Sequence, residues 1–340
     1  RENEKDLEAA RKNGLSDAMV DRLRLNDAGI DGLIRAVREI EALPDPVGGI
    51  ENMVMRPNGL RIGHMRAPIG VVGIIFESRP NVTVDAAALC FKAGNAAFLR
   101  GGSEAIHSNR VLAEIMNDAC REAGLPDGTV QLIPTTDRAA VGAMLKADEY
   151  IDLIIPRGGK NLIKRVTEDS IIPVIKHLDG NCTVYVDEDA DQDMALSIVV
   201  NAKTQRTGVC NAAESLLVHA AIADELMPKV LAELQSLGVK VHGCERTQKL
   251  GKDIDAATEE DYYEEYLGME ISAKVVDSFD DAVVYINKYG SGHTESIVSR
   301  DYQKTMDFMR RVDSACVHVN CSTRFSDGGE YGLGAEIGIS

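Results

Sequence analysis

The sequence contains no tryptophan, and aromatic residues account for only 4% of its 340 residues. Together with thirty glycines, this scarcity indicates many tight turns rather than an aromatic binding surface. Long apolar runs are missing as well. The longest, Ile69–Phe76, is typical of a buried strand and falls far short of the roughly 18 residues that a membrane-spanning helix needs.

Positive charge is also scarce, with 37 Lys and Arg residues against 54 Asp and Glu residues and a formal net charge of −17. Nucleic acids and anionic membranes bind to clusters of cations, so neither is expected as a partner. A small anionic substrate would need a local basic pocket within this acidic chain.

The seven cysteines do not form the pattern of a disulfide framework, because their number is odd and they are widely scattered. These features predict reduced thiols and a cytoplasmic location. The chain starts at Arg1 rather than Met, and no signal-peptide pattern follows. We therefore expect it to be trimmed at its start.

Several common catalytic signatures are absent from the sequence. No G-x-G-x-x-G follows a strand, and no Walker A sequence, G-x-S-x-G elbow or paired H-x-x-x-H occurs. Their absence disfavours a dinucleotide fingerprint of the usual kind, a nucleotide kinase, a serine hydrolase and a zinc protease. The seven histidines are dispersed, so no metal site is predicted.

Beyond residue 68 the sequence alternates between apolar strands and amphipathic helices. Ile69–Phe76, Ala96–Leu99, Val130–Ile133 and Tyr150–Ile155 read as strands with helices between them, and the pattern repeats after about residue 180. Strands with little polar alternation predict a parallel sheet that is covered on both faces. We therefore predict an α/β protein with two parallel-sheet lobes, whose ligands gather at the carboxyl ends of the strands.

Cys210 lies in a polar segment that distinguishes it from the other six cysteines. The segment carries the cations Lys203 and Arg206, and Gly208 stands two residues before the sulfur. Nearby cations depress a thiol pKa and favour the nucleophilic thiolate. The pattern leaves two interpretations open, a catalytic nucleophile or an incidental cysteine.

Two further segments place polar residues beside turns. Arg79 and Asn81 follow the first apolar strand, where they either meet a ligand or belong to a plain β–α turn with Asn81 as the helix N-cap. Arg324 stands in the glycine-rich segment 322–338. That segment is either a flexible surface loop or a backbone pocket that closes over a ligand.

Taken together, these segments resemble the γ-glutamyl phosphate reductase family of the aldehyde dehydrogenase superfamily. The resemblance implies an aldehyde dehydrogenase-like fold, in which a Rossmann-like lobe holds the dinucleotide without the G-x-G-x-x-G sequence. Family members are expected to extend beyond both Arg1 and Ser340. The segments that carry the resemblance, in the family's order, are Pro68–Ile75, Phe76–Asp85, Lys92–Asn95, Leu99–Gly102, Ile155–Gly159, Asn201–Arg206, Cys210-Asn211, Ser322–Gly329 and Gly332–Gly338.

A β-hairpin is predicted ahead of the two lobes. Asn58-Gly59 separates two short strands, and this dipeptide suits a tight hairpin whose turn residues both take positive φ. The hairpin resembles the superfamily's oligomerisation arm, which implies a homo-oligomer. The domains predicted are a cofactor-binding domain at 1–180 with the hairpin at 51–66, a catalytic domain at 181–318, and a segment at 319–340 that returns toward the cofactor domain and the oligomerisation region.

The resemblance also implies a covalent mechanism. Cys210 would attack γ-glutamyl phosphate, release phosphate and form a thioester, and NADPH would reduce the thioester to glutamate 5-semialdehyde in proline biosynthesis. Asn81, together with the backbone N–H of Cys210, matches the superfamily's oxyanion donors. Losing one such donor typically costs ~10²–10³ in rate.

Cofactor and substrate residues are implied in the same way. Arg100 matches a position that contacts the adenosine ribose, where a fixed charge would suit the 2′-phosphate of NADPH. Gly158 and Gly159 match the turn beside the pyrophosphate. Glu265, with Leu267 in place of a phenylalanine, resembles the glutamate that holds the nicotinamide ribose. The cations expected around the substrate are Arg79, Lys203, Arg206 and Arg324.

Among those cations, Arg324 is expected to hold the α-carboxylate, while Lys203 and Arg206 face the phosphate. The stretch 175–181 lacks the glutamate base that oxidising aldehyde dehydrogenases place there. A reductase that releases phosphate needs no hydrolytic water, so this departure is consistent with the family.

Two other functions remain open at this point. A non-phosphorylating aldehyde dehydrogenase would share the fold and the thiol but would not depend on phosphate. A catalytically silent oligomeric scaffold would keep only the fold. The presence of Cys210, Asn81 and Arg324 counts against the scaffold.

Overall fold

The computed structural model describes residues 1–339, without the side chains of Asp17 and Ala18. The chain forms two compact units. The first comprises Arg1–His177 and the segment from Leu333 onward, and the second comprises Leu178–Gly332. The sequence had placed the corresponding divisions after residues 180 and 318. Residues 319–332 stay with the second unit, where Thr323 Oγ1 donates to the Asn211 carbonyl at 2.7 Å.

The first unit is built on a parallel sheet of four strands in the order β5-β4-β3-β6. Alternate residues of β3 face opposite sides, so Ile74 packs in one apolar cluster and Ile75 in another. The prediction of a parallel sheet covered on both faces is confirmed. The elements of this unit are α1 (Glu2–Lys12), α2 (Asp17–Leu23), α3 (Asp27–Ala42), β1 (Ile50–Met55), β2 (Arg61–Met65), β3 (Val71–Phe76), α4 (Asn81–Lys92), β4 (Ala96–Gly101), α5 (Ile106–Glu122), β5 (Val130–Leu132), α6 (Ala139–Met144), β6 (Leu153–Arg157) and α7 (Lys160–Asp169).

The second unit is also a parallel sheet, with the strand order β10-β9-β11-β8-β7-β12-β13. Every residue of β7 and β8 is buried, because apolar clusters cover both faces of the sheet. The elements of this unit are β7 (Cys182–Val186), α8 (Gln192–Thr204), β8 (Ala213–His219), α9 (Ala220–Ser236), β9 (Lys240–Gly243), α10 (Glu245–Leu250), β10 (Asp255–Ala256), β11 (Glu270–Val276), α11 (Phe279–Tyr289), β12 (Thr294–Val298), α12 (Tyr302–Arg311) and β13 (Cys316–Val319).

Strands β1 and β2 pair antiparallel, which confirms the hairpin. Its turn differs from the expectation, since Gly59 has φ +86° but Asn58 is not among the residues with positive φ. The bonds Gly59 N–H to Arg56 O and Arg56 N–H to Leu60 O close a longer loop. In such a loop a turn with ordinary φ is followed by one glycine in the left-handed region.

The hairpin exposes a row of apolar side chains, and its role in oligomerisation stays a prediction. The large apolar residues that the hairpin exposes are Ile50, Met53, Val54, Met55, Leu60, Ile62 and Met65.

Across the described part of the chain, no helix combines the length and apolar character that crossing a membrane requires.

Candidate active site

A cavity of about 740 Å³ in the first unit is lined by Arg100, Arg138 and Arg165, among others. Arg100 is the next-to-last residue of β4 and is only 9% exposed. Its Nη2 donates to the Thr136 carbonyl at 3.4 Å, but within the described residues its Nε has no hydrogen-bond partner. A buried donor without an acceptor is costly, so this cavity suits a ligand that brings an acceptor.

Charged groups of both signs surround Arg100. Burial lowers the pKa of Arg100, and the neighbouring guanidinium groups of Arg138 and Arg165 lower it further, while Glu104 and Glu77 oppose the shift. Both carboxylates are already engaged by backbone groups. Glu104 accepts from the Ser78 N–H at 2.6 Å, and Glu77 accepts a backbone N–H of the glycine turn described next. The three arginines are therefore the groups suited to an anion.

The turn at Gly158-Gly159 opens α7, and a side chain at its first glycine would displace two neighbouring side chains. A Cβ on Gly158 would lie 2.5 Å from Glu77 Oε2 and 2.9 Å from Leu162 Cδ2. The N–H of Gly159 donates to Glu77 Oε2 at 3.1 Å. This carboxylate contact at the start of α7 was not foreseen. The pyrophosphate role of the two glycines stays a prediction.

The loop after β3 carries Arg79 and Asn81. Pro80 takes the N-cap position of α4 and Asn81 is the first helical residue, so the interpretation of Asn81 as the N-cap is wrong. Its Nδ2 donates to Asp85 Oδ2 at 2.9 Å. Arg79 is half-buried. The oxyanion role of Asn81 and the ligand role of Arg79 stay predictions.

In the second unit, Cys210 is half-buried and stands just before β8. Cys182, the first residue of β7, donates its thiol to the Cys210 carbonyl at 3.1 Å. A Cβ on Gly180 would overlap that carbonyl oxygen and would lie 2.5 Å from the Cys210 Cα. The cysteine backbone thus rests against a glycine backbone, at the amino edge of the two central strands. Cys210 therefore lies at the edge opposite the carboxyl ends of these strands, and the expectation that ligands gather at carboxyl ends stays a prediction for this unit.

Arg324 is anchored beside the cysteine. Its Nη1 donates to Asn211 Oδ1 and its Nε to Gln205 Oε1 at 2.9 Å. Asn211 Nδ2 in turn donates to the Ser326 carbonyl at 3.0 Å. These bonds argue against a flexible loop for residues 322–326, and a backbone pocket that closes over a ligand stays a prediction. Arg324 and Gln205 also line a cavity of about 500 Å³.

Lys203 does not face a ligand, which corrects the expectation for this residue. It lies on the inner face of α8, and its ammonium forms an ion pair with Glu214, where both side chains have 0% exposure. The polar residues around Lys203 led to the expectation that it faces a ligand, but Lys203 and its neighbour Ala202 are both buried. A lone acid within an apolar strand, Glu214 in β8, was the missed signal, since a buried carboxylate needs a partner. Arg206, by contrast, is exposed.

Glu265 contacts Gly180, the glycine whose backbone lies against that of Cys210. Its Oε1 accepts from the Gly180 N–H at 2.8 Å, which the sequence did not reveal. Its predicted contact with the nicotinamide ribose stays a prediction. Within residues 1–339, no group of three or more His, Cys, Asp and Glu side chains is arranged to hold a metal ion.

Comparisons with known proteins agree with the resemblance. A model of the aldehyde dehydrogenase family matches residues 19–268. The chain is 54% identical over 338 residues to γ-glutamyl phosphate reductase of Caldanaerobacter subterraneus subsp. tengcongensis, covering 99% of this chain and 82% of that protein. The crystal structure of γ-glutamyl phosphate reductase from Thermotoga maritima matches at TM-score 0.95 and 47% identity, covering 100% of this chain and 82% of that one.

A more distant structure shares the fold. It is an engineered glycolyl-CoA reductase solved with bound NADP⁺, with TM-score 0.61 and 22% identity over 99% of this chain and 90% of that one. The matches span both units and include the segments that surround Cys210. The chain belongs to the γ-glutamyl phosphate reductase family, within the aldehyde dehydrogenase family.

Proposed function

We propose that this protein reduces L-glutamate 5-phosphate to glutamate 5-semialdehyde with NADPH and releases phosphate, as a step of proline biosynthesis. The observation that carries the proposal is the 54% identity over 99% of the chain to a relative of that name. The contacts around Cys210 support it, because its backbone lies against Gly180 and the next residue, Asn211, is hydrogen-bonded to Arg324.

Cys210 is the nucleophile in this proposal. Its thiolate sulfur forms a bond to the acyl carbon of the substrate, the carbon–oxygen bond to phosphate breaks, and phosphate leaves with the electron pair. The product of this step is a thioester on Cys210. When bound, NADPH supplies the hydride that reduces the acyl carbon. Cleavage of the carbon–sulfur bond then frees the semialdehyde and restores the thiolate.

The basic groups of the Cys210 neighbourhood hold the two anions of the substrate. We assign Arg324 to the α-carboxylate, since its guanidinium is fixed by Asn211 and Gln205 and suits bidentate capture of a carboxylate. We assign the phosphate to the exposed Arg206. Lys203 is not part of this set, because its ammonium is buried.

Replacing Arg324 with alanine is expected to raise the substrate KM by ~10–100-fold, since a charge-assisted pair contributes roughly 1.5–3 kcal/mol. The KM for NADPH should change less than about twofold. Steady-state assays with each substrate varied in turn measure both values. Arg310→Ala is a matched control, because that arginine is exposed on α12 and pairs only weakly with Asp307 at 3.6 Å. Equal effects on both KM values would contradict the assignment of Arg324.

We assign the 2′-phosphate of NADPH to Arg100, Arg138 and Arg165, whose cavity suits an anion. The double replacement Arg138→Ala and Arg165→Ala is expected to weaken NADPH binding by ~10-fold or more, while NADH binding stays unchanged. Calorimetric titration with 2′-phosphorylated and unphosphorylated AMP measures this difference without turnover. Lys164→Ala is the control, since Lys164 is exposed beside Arg165 and lies outside the cavity. Equal loss for both nucleotides would overturn the assignment.

The reverse reaction tests the function as a whole. Glutamate 5-semialdehyde and NADP⁺ are supplied with and without inorganic phosphate, and NADPH formation is followed by absorbance. Turnover that requires phosphate supports the proposal. Turnover without phosphate indicates a non-phosphorylating aldehyde dehydrogenase, and NADP⁺ binding without turnover indicates a scaffold.

A further inference from the structure

The second unit contains a buried ion pair that the proposed mechanism does not use. Lys203 on α8 and Glu214 on β8 contact each other with no exposed side-chain surface. Burial raises the pKa of Glu214 to about 7 and lowers the pKa of Lys203. Two buried charges are expensive to desolvate, and well-packed apolar residues often stabilise a fold as well or better. The pair therefore calls for an explanation other than stability.

Glu214 also holds a strained backbone position. Its Oε1 accepts from the N–H of Leu267 at 3.3 Å. Leu267 has φ +51°, a left-handed conformation that is unfavourable for a bulky side chain. The carboxylate thus fixes a turn that the sequence itself disfavours.

That turn carries Glu265, and Glu265 contacts Gly180, the residue that lies against Cys210. Its Oε1 accepts from the Gly180 N–H at 2.8 Å, and the Gly180 backbone lies directly against the Cys210 backbone. Next to it, Asn181 Nδ2 donates to the carbonyls of Tyr262 and Tyr289 at 2.8 and 2.9 Å. A continuous set of contacts thus runs from the buried ion pair to the sulfur-bearing residue.

We propose that Lys203 and Glu214 are positioning residues: they fix the backbone at Leu267 and, through Glu265 and Gly180, set the placement of Cys210. Lys203 neutralises and orients Glu214, so that one carboxylate oxygen faces the ammonium and the other faces the Leu267 N–H. The inference rests on the proposed role of Cys210 as the nucleophile.

The test compares Cys210 reactivity in the full chain with and without the pair. The double variant Lys203→Met and Glu214→Leu replaces the two charges with apolar side chains of similar volume, which a fold commonly tolerates. Alkylation by iodoacetamide is followed for each cysteine by mass spectrometry between pH 6 and pH 9. We expect the Cys210 rate to fall ~10-fold or more, because a small misplacement of a catalytic group carries a penalty of this order or larger.

Two internal controls separate positioning from a general loss of structure. Cys120 on α5 of the first unit is half-buried, and its alkylation rate should stay unchanged. The exposed pair Lys229 and Glu225 on α9 provides a matched double variant, Lys229→Met and Glu225→Leu. In this variant iodoacetamide should alkylate Cys210 at the wild-type rate. The kcat should fall in the Lys203 and Glu214 variant and should stay at the wild-type value in the Lys229 and Glu225 variant.

A second double variant, Lys203→Met and Glu214→Gln, serves if the first does not fold, because it leaves no unpaired buried charge. The glutamine keeps the shape and one acceptor oxygen but removes the charge, so we expect a smaller fall of about threefold or more in the Cys210 alkylation rate. Wild-type alkylation and wild-type kcat in a folded variant would overturn the inference. That result leaves the nucleophile assignment standing, because turnover lost on replacing Cys210 is measured separately.

Discussion

Replacing Cys210 with serine or alanine is expected to reduce turnover by ~10³-fold or more, because neither side chain supplies a thiolate to form the thioester. Serine is the sharper test, since it keeps the shape of the side chain and changes only the nucleophile. NADPH oxidation with the acyl phosphate, or its reverse with phosphate, measures the loss. NADPH binding should remain within about twofold of wild type, since the arginine cavity lies in the first unit.

Cys120→Ser provides the control for the cysteine replacement. Cys120 is half-buried on α5, where cysteine behaves as a small apolar residue, and turnover of this variant should be preserved. In the wild-type chain, alkylation of one thiol per chain at Cys210 should proceed in parallel with loss of activity. Turnover that survives in the Cys210→Ser variant would rule out the covalent mechanism.

Gly180→Ala is expected to have the second largest effect. The added Cβ would overlap the Cys210 carbonyl oxygen and lie 2.5 Å from the Cys210 C and Cα atoms, so one backbone must move by an ångström or more. Overpacking of this kind costs about 1–3 kcal/mol of stability, and displacing a nucleophile by about 1 Å can cost ~10²-fold in rate. Thermal unfolding and kcat measure the two effects.

Gly208→Ala is the matched control for that change. Gly208 lies in the same segment as Cys210, but no atom comes within 4 Å of its Cβ position and its φ is not in the left-handed region. This variant should keep both the melting temperature and kcat close to wild type. If Gly180→Ala behaved like Gly208→Ala, the close backbone approach described above would be wrong.

The alternation of apolar strands with helices was enough to predict both parallel sheets. Local chemistry at strand and turn ends was harder to predict. Strand β3 begins at Val71 rather than Ile69, because Asn95 Oδ1 accepts the N–H groups of Ile69 and Gly70 at 2.6 and 3.0 Å. A side chain 25 residues away in the sequence thus accepts the N–H groups that a longer strand would have paired with its neighbour. No local sequence pattern predicts this contact.

The candidate site was predictable as a set of segments but not as a set of contacts. The resemblance pointed to Cys210 and Arg324, and the structure links them through Asn211. It did not show that Lys203 turns inward, because polar residues in a catalytic segment were read as ligand-facing. Nor did it show the Gly180 contact, which depends on two chain segments 30 residues apart meeting at adjacent strands.

The position of Cys210 at the amino edge of the second sheet bears on how the proposed thiolate would be stabilised. Helix α8 leads from the carboxyl end of β7 to the amino end of β8, so the helix end that precedes the cysteine is its C-terminus. A helix C-terminus carries partial negative charge. A more reactive thiol would therefore be engineered by adding hydrogen-bond donors or cations to the cysteine's own loop, and extending α8 toward the sulfur would work against it.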